Sequence, residues 1–311
     1  MTYCVGVLLH DGLVCASDSR TNAGIDHVSS FKKMKVFERP GDRVLVMMSA
    51  GNLSVSQNVV NQLELSGRRT DGTLTIWSAQ SMVEVASLLG DTLREVRGRD
   101  LPFLQANNID ANVTFILGGQ IRGEPMRLFL VYSEGNFIES TPETPFFQTG
   151  ETKYGKPIID RVITPASTLV EAEKCLLVSF DSTMRSNVSV GLPIDMLTCE
   201  TDALQVGLQK RIQESDPYYR LIHAEWGEGL KRVFSQLPDP QWDTEGPAPS
   251  PTTRTGPVVS SVHSGQRDGP PPLSGARIRG VAWREVTWLT HVDPVEGVPV
   301  GQDHDEAVNS W

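Results

Sequence analysis

Four residues within the first 51 of this 311-residue chain are of the types that splitting an amide would need. Thr2 follows the initiator Met1, and methionine aminopeptidase commonly removes Met ahead of a residue as small as Thr. A chain that begins at Thr2 carries a nucleophile and a base on one residue, its hydroxyl and its α-amine. That amine titrates near ~8 when unperturbed, close to the optimum for a general base at neutral pH. The hydroxyl still needs help to lose its proton. A lysine ammonium held nearby lowers its effective pKa, and an aspartate can fix that lysine. A glycine N–H beyond a strand end can donate to the oxyanion formed when a carbonyl is attacked. Asp18, one of Lys32 and Lys33, and Gly51 supply those parts. Taken singly, each has an ordinary reading: a solvated turn, an exposed charged edge, a strand stop. Their combination is what points to chemistry.

The elements around these residues explain how they could meet. Residues 3–9 and 13–17 are apolar runs joined by His10-Asp11-Gly12, a hairpin signal. Residues 33–38 and 43–49 repeat the arrangement around Arg39-Pro40-Gly41-Asp42. In a meander of four antiparallel strands, the starts of strands 1 and 3 adjoin the ends of strands 2 and 4. Thr2, Asp18, the lysine and Gly51 then share one edge. Beyond Gly51 the spacing predicts helices over 54–67 and 78–97, the second with a stripe from Met82 to Val96. Strands are predicted over 112–119, 127–132 and 136–140. Two helices follow, from about 152 to 162 and from 167 to 184 with Ser167 as N-cap. Strands over 194–199 and 204–212 precede a last helix, capped by Asp216 and ending near Phe234. Its stripe is Tyr219, Ile222, Trp226, Leu230 and Val233. Strands and helices thus come in blocks, the pattern of an α+β protein with antiparallel sheets rather than a doubly wound parallel one.

Composition narrows the class. Hydrophobic residues make up 39% and charged residues 21%, and the net charge of −10 argues against a nucleic-acid binder. The longest apolar runs fall far short of the ~20 residues that span a bilayer, and the first residues lack a signal peptide's basic region. The expected setting is the cytoplasm, with Cys4, Cys15, Cys175 and Cys199 reduced. No cofactor or metal site is expected: His10, His27 and His223 form no ligand spacing with the cysteines. A Ser-His-Asp centre is not expected either, for want of a nucleophile elbow. After Trp242 the chain turns rich in Pro, Gly, Ser and Thr, so 1–242 reads as the domain and 243–311 as a low-complexity tail.

The run Thr2, His10-Asp11-Gly12, Ala16-Ser17-Asp18-Ser19-Arg20, Ala23-Gly24, Lys33 and Ser49-Ala50-Gly51 resembles the β-type subunits of the proteasome and HslV. The stretches NAGIDHVSSFKKM, GETKYGKPIIDR, SFDSTMRSNVSVG and LPDPQW look most like Anbu, the bacterial ancestral β-subunit family. The resemblance implies an N-terminal nucleophile hydrolase fold: a four-layer αββα sandwich, two antiparallel sheets between helix layers. It implies a threonine-type peptidase with Thr2 as nucleophile, Asp18 and Gly51 in their roles, and self-assembly into a homo-oligomer. It favours Lys33 over Lys32 because Met34 follows it. It adds Ser189 beside the threonine, and Thr21, Asn22 and Ala23 as partners of an extended substrate backbone. Two positions depart from the proteasome pattern. Glu151 stands where those subunits have serine after Gly150, and Ser186 where they have an aspartate that orients the threonine amine. An amidohydrolase acting on small amides and a scaffold subunit without activity are the other two expectations.

Overall fold

The computed structural model describes residues 2–22, 28–69 and 71–240. The expected tail, 243–311, lies outside the described residues. The long central strands are buried on both faces, and successive side chains point to opposite sides, which divides the core into three packing layers.

Strands β1 (Tyr3–Leu9), β2 (Gly12–Asp18), β10 (Phe146–Gly150), β11 (Ile194–Glu200) and β12 (Leu208–Ile212) form one antiparallel sheet in the order β10-β1-β2-β11-β12. A short hairpin, β3 (Arg20–Asn22) with β4 (Val28–Ser30), follows β2. The second sheet runs β5-β6-β7-β8-β9, from β5 (Met34–Arg39), β6 (Arg43–Gly51), β7 (Val113–Ile121), β8 (Arg127–Val131) and β9 (Phe137–Glu139). Helices α1 (Leu53–Ser66) and α2 (Met82–Ala106) cover the second sheet. Helices α3 (Lys156–Val162), α4 (Leu169–Ser186) and α5 (Pro217–Ser235) cover the first.

Period-2 alternation explains the layering. Tyr3, Val5 and Val7 face the helices over the first sheet, whereas Cys4 faces inward with Leu13 and Cys15. On β6, Leu45 and Met47 face α1 and α2, whereas Val44, Val46 and Met48 meet the inward residues of the first sheet. The result is the expected four-layer sandwich.

Several expectations change. The first four predicted strands are not one meander. The β1–β2 hairpin and the β5–β6 hairpin lie in different sheets, and the shared site therefore spans the two sheets rather than one edge. Strand β10 was not expected. It is five residues long and contains no clear alternation, yet it pairs with β1 in the register Tyr3↔Gly150. Helix α2 starts at Met82, not 78, because Ser81 caps it, and it runs on to Ala106 with Pro102 inside. Helix α4 is capped by Thr168 in a full capping box with Glu171, and Ser167 instead accepts from the Thr164 N–H. Asp216 caps α5 as expected, through the N–H groups of Tyr218 and Tyr219. The α5 stripe is buried only at its first turns: Leu230 is 54% and Val233 55% exposed.

Candidate active site

The site lies where the start of β1 meets the end of β6. Thr2 precedes Tyr3, so alternation puts it on the same face of β1 as Cys4, toward the second sheet. The Cys4 thiol contacts the Ser49 carbonyl at 3.6 Å, which ties the two sheets together here. Two residues back along β1 is Thr2, and two residues on along β6 is Gly51.

Asp18 ends β2 and is fully buried. One carboxylate oxygen accepts from the Tyr3 N–H at 2.9 Å and from Lys33 Nζ at 2.7 Å. Lys33 Nζ also donates to the Arg20 carbonyl at 2.6 Å. Of the two candidate lysines, Lys33 is buried against Asp18 and Lys32 is exposed. Burial pushes the Asp18 carboxyl above its ordinary range, and the Lys33 ammonium and the Tyr3 N–H oppose that rise. Burial also pushes the Cys4 thiol far up, with the Asp18 charge adding to it, so Cys4 stays a thiol at neutral pH.

Gly51 has φ +115°, and a Cβ there would sit 2.1 Å from the Asn112 carbonyl oxygen. Only glycine fits this strand end. The Ser49 N–H donates to the Lys33 carbonyl at 3.1 Å, and the Asn52 N–H donates to Asn112 on the opposite side at 2.9 Å. By alternation, the Gly51 N–H faces the lysine side. A cavity of about 230 Å³ is lined by both Lys32 and Lys33, together with Lys35, Ser49, Leu53 and Gln57.

The remaining expected residues fall around this core. Thr21 and Asn22 lie in β3, immediately after the Arg20 carbonyl that holds Lys33. Ala23 lies outside the described residues. Ser189 sits in the turn after α4, its N–H donating to Asn187 Oδ1 at 2.9 Å. Asn187 Nδ2 in turn donates to Glu151 Oε2 at 2.6 Å, and the Glu151 N–H donates to the Thr2 carbonyl at 2.7 Å. The Glu151–Asn187 pair was not foreseen. Its sequence signal was only the departure at residues 151 and 186, because β10, the strand that ends just before Glu151, went unread.

An antiparallel four-layer sandwich whose first strand is preceded by a threonine, with a buried Lys–Asp pair at its start, is the arrangement of the proteasome-like class of N-terminal nucleophile folds. Comparison with protein-family models and with curated proteins finds no match. Solved structures do match. Anbu (ancestral β-subunit) from Yersinia bercovieri is 48% identical, with a TM-score of 0.72 over 77% of this chain and 99% of that one. Anbu from Hyphomicrobium sp. strain MC1 is 46% identical, with a TM-score of 0.71 over 77% and 99%. A structure described as the helical assembly of the Anbu complex from Pseudomonas aeruginosa is 47% identical, with a TM-score of 0.74 over 77% and 98%. The chain belongs to the Anbu family.

Proposed function

We propose that this chain is a threonine-type peptidase that acts once Met1 is removed. The observation that carries the reading is the buried Lys33–Asp18 pair, whose carboxylate also holds the Tyr3 N–H next to Thr2. A buried ammonium fixed in this way favours the alkoxide form of a neighbouring hydroxyl.

In the proposed reaction Thr2 Oγ1 attacks the substrate carbonyl carbon, and its proton passes to the α-amine of Thr2 through water. The Gly51 N–H receives the oxyanion. Collapse of the tetrahedral species breaks the C–N bond, the α-ammonium returns the proton to the leaving amine, and the acyl group remains on Thr2 as an ester. Water, deprotonated by the same amine, then hydrolyses the ester and restores the hydroxyl. Thr21, Asn22 and Ala23 together with the end of β6 would pair with an extended substrate backbone. Ser189 would act from the turn that carries Asn187.

The enzyme is proposed to work in the cytoplasm as a self-assembled homo-oligomer. The helical assembly of the Pseudomonas aeruginosa relative supports the second point. Among the described residues, no helix is long and apolar enough to cross a membrane.

Hydrolysis of a broad fluorogenic peptide panel tests the activity. Turnover by the wild type that is lost by at least 100-fold in Thr2→Ala is the expected result. Equal turnover by both would remove the peptidase reading. Cleavage of short acyl amides alone would move the chain to the small-amide hydrolases.

A further inference from the structure

The resemblance to proteasome subunits implies an aspartate beside the Thr2 amine, and this chain has Ser186 in that place. The strand register brings another acidic residue to the same end of β1. Tyr3 pairs with Gly150, so Thr2 stands opposite Glu151. The Tyr3 N–H faces Asp18 on β2. The amine and carbonyl of Thr2 therefore face the other way, toward the end of β10. The 2.7 Å bond from the Glu151 N–H to the Thr2 carbonyl agrees with this. Gly150 makes the approach possible: it has φ +85°, and a Cβ there would lie 1.9 Å from the Thr2 carbonyl oxygen.

The Glu151 side chain is buried, with 7% of its surface exposed. Asn187, which caps the C-terminus of α4, donates to Oε2. Oε1 has a looser neighbour, Lys153 Nζ at 3.4 Å, on a side chain that is 68% exposed. A buried carboxylate with one oxygen fixed and the other weakly engaged, at the position opposite an N-terminal residue, is arranged to receive an ammonium.

We propose that Glu151, held by Asn187, is the residue that positions the α-amine of Thr2. It takes over, from the end of β10, the task that the aspartate absent at Ser186 would perform. The inference rests on the reading in which Met1 is removed. Its chemical consequence is that the ammonium form of Thr2 is favoured, so the free base appears at higher pH than with a neutral group opposite it. Of the neighbouring charges, Asp18 on β2 and Lys33 ahead of β5 lie on the side that the Tyr3 N–H faces, Arg20 is on β3 and Lys153 is beyond β10. Arg20 is committed to the Val188 carbonyl at 2.8 Å, and Asp18 and Lys33 to each other.

The amine itself is the readout. Its acetylation by acetic anhydride is followed against pH, with mass mapping of the N-terminal peptide, in the wild type and in Glu151→Gln, Glu151→Asp and Lys153→Met. The titration midpoint is expected to fall by about one pH unit in Glu151→Gln and to stay near the wild-type value in Glu151→Asp. Lys153→Met changes an exposed side chain that folding tolerates. It should move the midpoint upward by removing the competing cation. An unchanged midpoint in both Glu151→Gln and Lys153→Met overturns the proposal, while leaving the nucleophile reading intact. Shifted midpoints with a Thr2 hydroxyl that never takes a covalent inhibitor support the positioning role and defeat the nucleophile reading. Retention of Met1 overturns both.

Discussion

Lys33 and Asp18 form one ionic unit, and neither is tolerable alone in its setting. The lysine side chain is 4% exposed and the aspartate side chain is fully buried. Removing one partner of such a pair leaves an uncompensated charge and costs about 3–5 kcal/mol. Lys33→Met is therefore expected to lower stability by that order, and the double variant Asp18→Asn/Lys33→Met to recover much of it. The pH dependence has a definite sign. Burial already raises the Asp18 carboxyl, and Lys33 opposes that rise. Without the ammonium the carboxyl rises further above its unfolded value. Its stabilising protonated form is then fully present at low pH and is lost as pH rises through the folded value. Denaturant melts of Lys33→Met at pH 5 and pH 8, each against the wild type, should show the smaller deficit at pH 5. A larger deficit at pH 5 contradicts the assignment. Thr2, Asp18 and Gly51 stand out as candidates from residue type and spacing alone. Between Lys32 and Lys33 the sequence offered only the apolar Met34 as a guide, because two adjacent lysines differ by which face of the chain they occupy.

At the scale of elements, the site depends on strand ends that meet across two sheets. The Asp-Gly and Pro-Gly signals disclosed both hairpins, since turn chemistry is local. That the hairpins belong to different sheets was not legible, because sheet membership is decided by long-range pairing. Strand β10 was missed for a related reason. Its five residues, Phe-Phe-Gln-Thr-Gly, show no alternation strong enough to read, and its place is fixed by pairing with β1. With it went the position of Glu151. Helix α2 overran its expected end because its fully buried stripe stops at Val96, while the helix continues to Ala106 with Leu104 partly buried against the core and Phe103 exposed at 73%. The end of β6 carries the clearest test. Gly51→Ala would drive a methyl group into the Asn112 carbonyl at a backbone angle that L-residues rarely adopt. It should cost about 1–3 kcal/mol in a thermal or denaturant melt and turn the proposed oxyanion donor away. Peptidase turnover should therefore fall together with stability. Full turnover in a well-folded Gly51→Ala chain would exclude that N–H from the reaction.

For the whole molecule, three apolar layers account for the sandwich: one between the sheets and one beneath each helix layer. The block order of strands and helices already implied such layers, since antiparallel sheets bury one face against each other and the other against helices. The proposed domain boundary leads to a further prediction. A chain ending at Trp242 should give one cooperative unfolding transition at the temperature of the full-length protein. A lower transition would show that residues 243–311 contribute to the fold. The central claim, however, concerns the first residue of the processed chain. Its most direct test is the intact mass of the protein after treatment with a peptide β-lactone. Loss of Met1 and a single adduct, mapped to Thr2 and absent in Thr2→Ala, is the expected result. A retained Met1, or an adduct that forms equally in Thr2→Ala, would contradict it.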